Sequence, residues 1–465
     1  MASVALAPTE LGTEKIGKLL KMYAVPGIIA QTAASLYNMV DSIYIGHIPG
    51  VGSAAISGLA VTFPLMNLAT AMGTLVGVGA TTLISVLLGQ KNYDTARKVL
   101  SNVLSLNLII GALFSGVTLA FLDPILRFFG ASDVTLPFAR DYMLIILVGN
   151  VFTHLYFGFN GLIRASGHPK TAMGLTLFTV ISNAILDPVF IFVFEMGIRG
   201  AALATVICQM AALVYTMKFF LDKKNLLHFP RPMFQIDWRI AGQSLAIGLG
   251  PFLMNSAACL VALFINQQLG KYGGDLAIGA YGIVNRLTML FIMVCMGFNQ
   301  GLQPIAGYNY GARQYHRVKE VFVLTAKWEI LVTSLCFLMA ELIPGLAVSL
   351  FTNDPEMIEM ASRALRIMCA GTALVGFGIT TSTFFQCLGM VSKSIFLSLS
   401  RQLIFLLPLI YSLPMWFQEK GVWMSFPIAD MLSVVVSLVF VLRLFKKFDK
   451  LKDGQDAGAL GSAIK

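Results

Sequence analysis

The sequence predicts an all-α integral membrane protein of twelve transmembrane helices in two pseudo-symmetric six-helix lobes. Three observations carry that expectation. Of 465 residues, 57% are hydrophobic and only 12% charged, where a soluble protein carries about 25% charged residues. Twelve apolar runs each reach the roughly 20 residues that cross a bilayer core. The two halves of the chain also resemble each other at a constant offset of 222 residues.

The runs lie at 19–46, 54–88, 99–121, 138–163, 171–194 and 198–221. After a polar stretch they resume at 241–269, 277–304, 318–341, 358–388, 394–417 and 421–445. The first follows Lys15, Lys18 and Lys21, is too long for a cleaved signal and lacks an A-x-A site, so it reads as a retained helix. Several runs are longer than a bilayer needs, which implies tilt or protruding ends. Between the halves, Leu221 to Ile240 is polar and holds two prolines, as a surface connector does. The expected organisation is an N-lobe over 1–221, a cytoplasmic linker over 222–240, a C-lobe over 241–445 and a disordered cytoplasmic tail over 446–465.

Lysines and arginines alternate in density from loop to loop. Lys91, Arg97, Lys98, Arg313 and Arg317 fall on one side with both termini, against a sparser set that includes Arg127, Arg140 and Lys271. The denser side is expected to be cytoplasmic. This placement also accounts for the net charge of +10 through anionic lipid, with no need for nucleic acid.

The repeat pairs Gly89 with Gly311, Lys91 with Arg313, Tyr93 with Tyr315, Arg97 with Lys319 and Gly167 with Gly389. Each half holds an even number of spans. Both therefore enter the bilayer in the same sense, related by an axis along its normal, and two such lobes can rock about a central cavity.

The candidate chemistry is sparse. The cysteines show no CxxC and the histidines no HExxH, so disulfide and metal frameworks are not expected. Gly12 to Lys18 mimics a phosphate loop, but Leu19 stands where Ser or Thr would hold Mg²⁺ and no strand precedes it. No nucleophile–base pair marks an enzyme. Two acids, however, lie inside apolar runs. Asp187 is the only charge between Thr171 and Phe194, and Asp41 ends the run AVPGIIAQTAASLYNMVD. A carboxylate at membrane depth costs about 2.5–3.5 kcal/mol on insertion scales, and such residues mark ion, proton or substrate paths.

Asn183 and Asp187 are four apart on one helix face, as are Tyr37 and Asp41. Pro188 lacks an N–H and would clash with the carbonyl of Ala184, so a kink beside Asp187 is expected. Thr205 and Asn160 lie within the sixth and fourth runs. Two carboxylates, two amides and a hydroxyl suit a hard cation such as Na⁺ or a shared proton. In the second half, the Asp41 and Asp187 positions fall on Leu263 and Leu409, which argues for one coupling site. Arg286 is a candidate for sensing the charge of Asp41 or of substrate, and Asp430 is a weaker candidate cavity acid. Lys327 and Glu329 are read as snorkelling from the cytoplasmic end of the ninth helix.

The stretches LYNMVDSIYIG, NGLIRASGHPK, SNAILDPVFIF, GIRGAALAT and GFNQGLQPIAGYNYGA resemble the multidrug and toxic compound extrusion (MATE) transporters, in their DinF-type branch. The resemblance covers nearly the whole chain. It implies a secondary antiporter that exchanges H⁺ or Na⁺ for bulky, often cationic drugs. It maps a cation site, with Na⁺ possible, onto Asp41, Asn183, Asp187 and Thr205, and cavity lining onto Gln31, Tyr37 and Asn160. It makes Pro26 the point where the first helix bends on protonation. Another branch places an acid in the seventh helix, and here Ala241 to Leu269 has none. The expected partners are small organic cations and membrane lipids, with a working monomer. The rival readings are a flippase of lipid-linked precursors and an exporter of a metabolite.

Overall fold

The computed structural model describes residues 9–451 and 453–455, and those residues are helical with no strand. Long helices follow one another as α1 (Ile16–Gly46), α2 (Gly52–Gly89), α3 (Tyr93–Ala120), α4 (Leu136–Ala165), α5 (Pro169–Val193) and α6 (Ile198–Leu221). The second half supplies α7 (Trp238–Gly274), α8 (Leu276–Gly311), α9 (Tyr315–Leu342), α10 (Pro355–Cys387, bent by 48° after Cys369), α11 (Val391–Phe417) and α12 (Glu419–Lys450). Of these, α2 to α9, α11 and α12 are each apolar enough to cross a bilayer, and the bent α10 makes an eleventh span. With 31 residues, α1 is about 46 Å long. It carries Gln31, Thr32, Ser35, Tyr37 and Asp41 within its apolar stretch.

The local reasons for these helices are conventional. Asn92 caps α3 by accepting from the Thr95 amide at 3.2 Å, and Asp354 caps α10 with Pro355 in the first turn. In α5 the missing N–H of Pro188 is followed by a π turn over Val189–Val193, closed by Phe194 N donating to Val189 O at 2.9 Å. A second π turn, Ser400–Leu406, interrupts α11 just ahead of Pro408.

The repeat is written into the backbone. Lys91 and Arg313 are both left-handed, at φ 59° and 58°. Lys91 N donates to Leu88 O and Asn92 N to Leu87 O, while Arg313 N donates to Tyr310 O and Gln314 N to Asn309 O. Gly167 and Gly389 end α4 and α10 at φ 96° and 69°. The repeated basic residue also has a like task in both halves. Arg97 Nε holds the carbonyl of Leu226 after α6. Lys319 pairs with Asp449 at the end of α12, and just beyond that helix Asp453 Oδ1 accepts from Tyr315 N at 2.9 Å.

The chain forms two compact units. One holds Ile29–Phe252 and the other Glu14–Ile28 with Leu253–Ala463. The division is drawn by packing and differs from the lobes expected from composition. It falls inside α1 and α7, two residues past Pro26 and one past Pro251, not in the polar linker. Close backbone packing explains this. In the second unit a Cβ at Gly297 would stand 2.5 Å from Ile28 Cα, and one at Gly301 2.8 Å from Ala24 N. In the first unit a Cβ at Gly248 would stand 1.8 Å from Leu75 O, and one at Gly79 1.9 Å from Ser244 O. Gly79 and Gly301 are repeat mates, so each half ties the start of the other half's first helix to its own second helix. Gly248→Val is therefore expected to lose about 1–3 kcal/mol or more by overpacking, read as a lower Tm and less monodisperse protein in detergent.

The linker does not simply lie over the surface. Leu227 and Phe229 are buried, and Phe229 packs on Phe159 and Phe220 at ring separations of 5.7 and 6.2 Å. Of the expected tail, residues 446–450 continue α12 and 453–455 are bonded to α9 or the turn before it; Lys452 and 456–465 lie outside the described residues. No disulfide joins the six cysteines.

Candidate functional site

In the first unit α1, α4, α5 and α6 bring six polar side chains together. Asp41 and Asp187 are buried, Asp187 completely, and the two carboxyl groups are neighbours. The Thr205 hydroxyl donates to Ala201 O at 3.1 Å. It accepts from Asn183 Nδ2 at 3.2 Å and lies 2.8 Å from Tyr37 Oη. Since its proton goes to Ala201, the Tyr37 O–H is the donor in that contact. Thr205 has then used its one donor and both acceptor positions, which fixes Tyr37 and Asn183 around it.

This arrangement leaves oxygens with no donor. Both Asp187 oxygens, Asp41 Oδ1 and Asn183 Oδ1 are buried without a hydrogen-bond donor among the described residues. Two ionised carboxyl groups in mutual contact repel strongly in an apolar interior, and two carboxyls bond to one another only through a proton on one of them. The cluster can therefore take up a proton between the acids, or gather acceptor oxygens around a small cation.

Tyr142 of α4 was not among the candidates from sequence. It is buried and faces both acids. Its signal was weak because Arg140 and Asp141 beside it mark the start of a helix at the membrane surface.

The other candidates fall elsewhere. Asn160 lies on the same helix as Tyr142 but eighteen residues on, about 27 Å at 1.5 Å per residue. There its amide donates to Ala172 O at 3.0 Å and its oxygen accepts from Arg164, so it secures the turn from α4 to α5. Gln31 is half-buried on α1, ten residues before Asp41 or about 15 Å. Arg286 is exposed, on α8 of the second unit. Asp430 is buried and pairs with Arg401 at 2.6 Å. Glu329 does not snorkel: it is fully buried, whereas Lys327 is exposed. Pro188 ends the regular part of α5 at the acid cluster, and α1 continues as a helix through Pro26.

The MatE family model matches the chain twice, over residues 26–189 and 251–412. The multidrug export protein MepA of Staphylococcus aureus strain MSSA476 is 28% identical over 427 residues, covering 92% of this chain and 94% of that protein. MepA of Staphylococcus haemolyticus strain JCSC1435 is also 28% identical, over 429 residues, with the same coverage. Among solved structures, the MATE multidrug transporter DinF-BH in complex with a dye is 35% identical, with TM-score 0.86, covering 95% of this chain and 98% of that one. A MATE structure in the bent conformation superposes with TM-score 0.89 at 23% identity, covering 96% and 99%, and shares the fold.

Proposed function

We propose, on the premise that this chain belongs to the MatE family of membrane transporters, that it is a multidrug efflux antiporter exchanging bulky organic cations for protons. The observation that carries the reading is that two buried carboxyl groups, Asp41 and Asp187, share one cluster in which both Asp187 oxygens and Asp41 Oδ1 have no hydrogen-bond donor among the described residues. One relative is named a multidrug export protein and another a multidrug transporter, the latter solved with a dye bound, which supports small-molecule drugs as cargo.

In this reading the ionised pair holds a cationic drug, and its protonation removes the charge that holds it. Drug and proton then compete for one site, the minimum that antiport requires. Tyr37, Asn183 and Thr205 hold the pair in place, and Tyr142 closes it from α4. Pro26 gives α1 a point of bending between the part bound in the second unit and the part that carries Asp41. Pro188 does the same for α5 beside Asp187. Both termini are cytoplasmic in this proposal, the membrane is the cell membrane and the working unit is a monomer.

One observation favours a second reading. Asn183 Oδ1 has no donor and belongs to a group of oxygens that suits Na⁺. Purified protein in vesicles, loaded with ethidium, distinguishes the two. Under the first reading an imposed pH gradient drives efflux and a Na⁺ gradient alone does not; under the second the dependence reverses. Efflux under neither gradient would turn the reading toward a lipid-linked precursor or a metabolite as cargo.

A further inference from the structure

We propose that Glu329 is a second proton-binding site, inside the second unit and separate from the Asp41–Asp187 cluster. Its side chain is 0% exposed, and neither carboxyl oxygen has a hydrogen-bond donor among the described residues. An isolated buried carboxylate is so costly that the group takes a proton instead.

The surroundings assign that proton to Glu329. Thr380 of α10 stands within reach of the carboxyl group, but its O–H donates to Gly376 O at 2.9 Å. What remains at Thr380 is an acceptor, so the contact is a hydrogen bond only when Glu329 donates. The Thr333 hydroxyl is also occupied, by the backbone carbonyls of Glu329 and Ala373. From α8 the group facing Glu329 is the Cys295 thiol. From α10 they are Gly376 and Thr380, with no charged side chain. On α9 itself Lys327 is exposed, and Thr325, one turn before Glu329, has its hydroxyl buried without a partner. A Cβ at Gly376 would stand 2.6 Å from the Glu329 backbone, so α9 and α10 touch there and shut out water.

The repeat argues that this acid is not a packing requirement. Glu329 is the mate of Asn107, Thr380 of Gly158 and Cys295 of Gly73 at the same offset of 222 residues. In the first unit Asn107 is also fully buried, and a Cβ at Gly158 would stand 3.0 Å from its Nδ2. The same position thus holds a neutral amide in one unit and a titratable acid in the other. An amide is accommodated by the fold, so Glu329→Gln is expected to fold.

The inference rests on proton coupling only for its role in transport; the site itself is tested by spectroscopy. Infrared difference spectra of purified wild type and Glu329→Gln should show a protonated carboxyl C=O band in wild type that is lost in the variant. The band should disappear on raising pH, with one proton fewer released by the variant over the same titration. Thr380→Val, which leaves the acid but removes its acceptor, should shift the band. In vesicles Glu329→Gln should move the pH profile of efflux. A band absent at acidic pH overturns the proposal. So does a band that persists at every pH with an unmoved efflux profile, since that describes a permanently neutral filler. Neither readout of the band depends on Asp41, so failure here is distinct from failure of the antiport reading.

Discussion

Asp41→Asn is expected to reduce proton-driven ethidium efflux to the level of protein-free vesicles while the protein stays folded. The reasoning is chemical, not steric. An amide has nearly the volume of the acid, so the packing of α1 against α5 and α6 is kept. It also carries an N–H that can donate to an Asp187 oxygen, which has no donor in the native cluster. Asp187 can then remain ionised, held by its neighbour, and the proton the pair would exchange is no longer needed. Asp187→Asn should fail equally, because either half of a coupled pair suffices to remove the joint titration. Asp123→Asn offers a control, since Asp123 joins Arg140 in a half-exposed pair at 3.4 Å, worth about 0–1 kcal/mol. Size-exclusion profile and Tm check the fold of each variant. Coupled efflux at the wild-type rate in Asp41→Asn would remove this cluster from the mechanism.

The second large effect concerns stability. Arg401→Ala leaves Asp430, 3% exposed, without its cation. Removing one partner of a buried pair costs about 3–5 kcal/mol, because the remaining charge is left uncompensated. The 35% exposure of the Arg401 side chain places the expectation near the lower end. Asp430→Asn alone should be milder, since an Arg at that exposure can reach the interface. The double replacement Arg401→Met with Asp430→Leu should recover most of the loss, as buried pairs replaced by apolar residues of similar size often do. Thermal unfolding in detergent, run as a double-mutant cycle, reads all three. A single Arg401→Ala variant as stable as wild type would mean that this pair contributes nothing to the fold.

The spans were legible because hydrophobic length is a local property. The duplication was legible because its offset is constant, and it reappears as matched left-handed residues at Lys91 and Arg313. The spacing of Tyr37 with Asp41 and of Asn183 with Asp187 put each pair on one helix face, and these residues do come together with Thr205. What was not legible depends on contacts between distant segments. Asn160 was grouped with the acids because a buried amide can sit at any height on a helix; only the level of α4 against α1 and α5 shows that Tyr142, eighteen residues earlier, is the residue of α4 that meets them. Glu329 read as a snorkelling residue because Lys327 stands beside it. Its burial follows from Gly376, 47 residues later, which lets α10 lie directly on it. The unit boundary was sought in the polar linker, where composition changes, and it lies instead at prolines within apolar helices.

The crossing of the unit boundary inside α1 bears on how the protein is made. Residues 14–28 are synthesised some 270 residues ahead of their partners Gly297 and Gly301. The first unit likewise waits for the start of α7 to supply Ser244 and Gly248. Neither half of the duplicated chain can finish as an autonomous product. Expressed as separate halves cut at the linker, each would lack a stretch of helix that the other carries. The two polypeptides should therefore acquire a protease-resistant core only when made together, which limited proteolysis of the separately and jointly expressed halves reads directly.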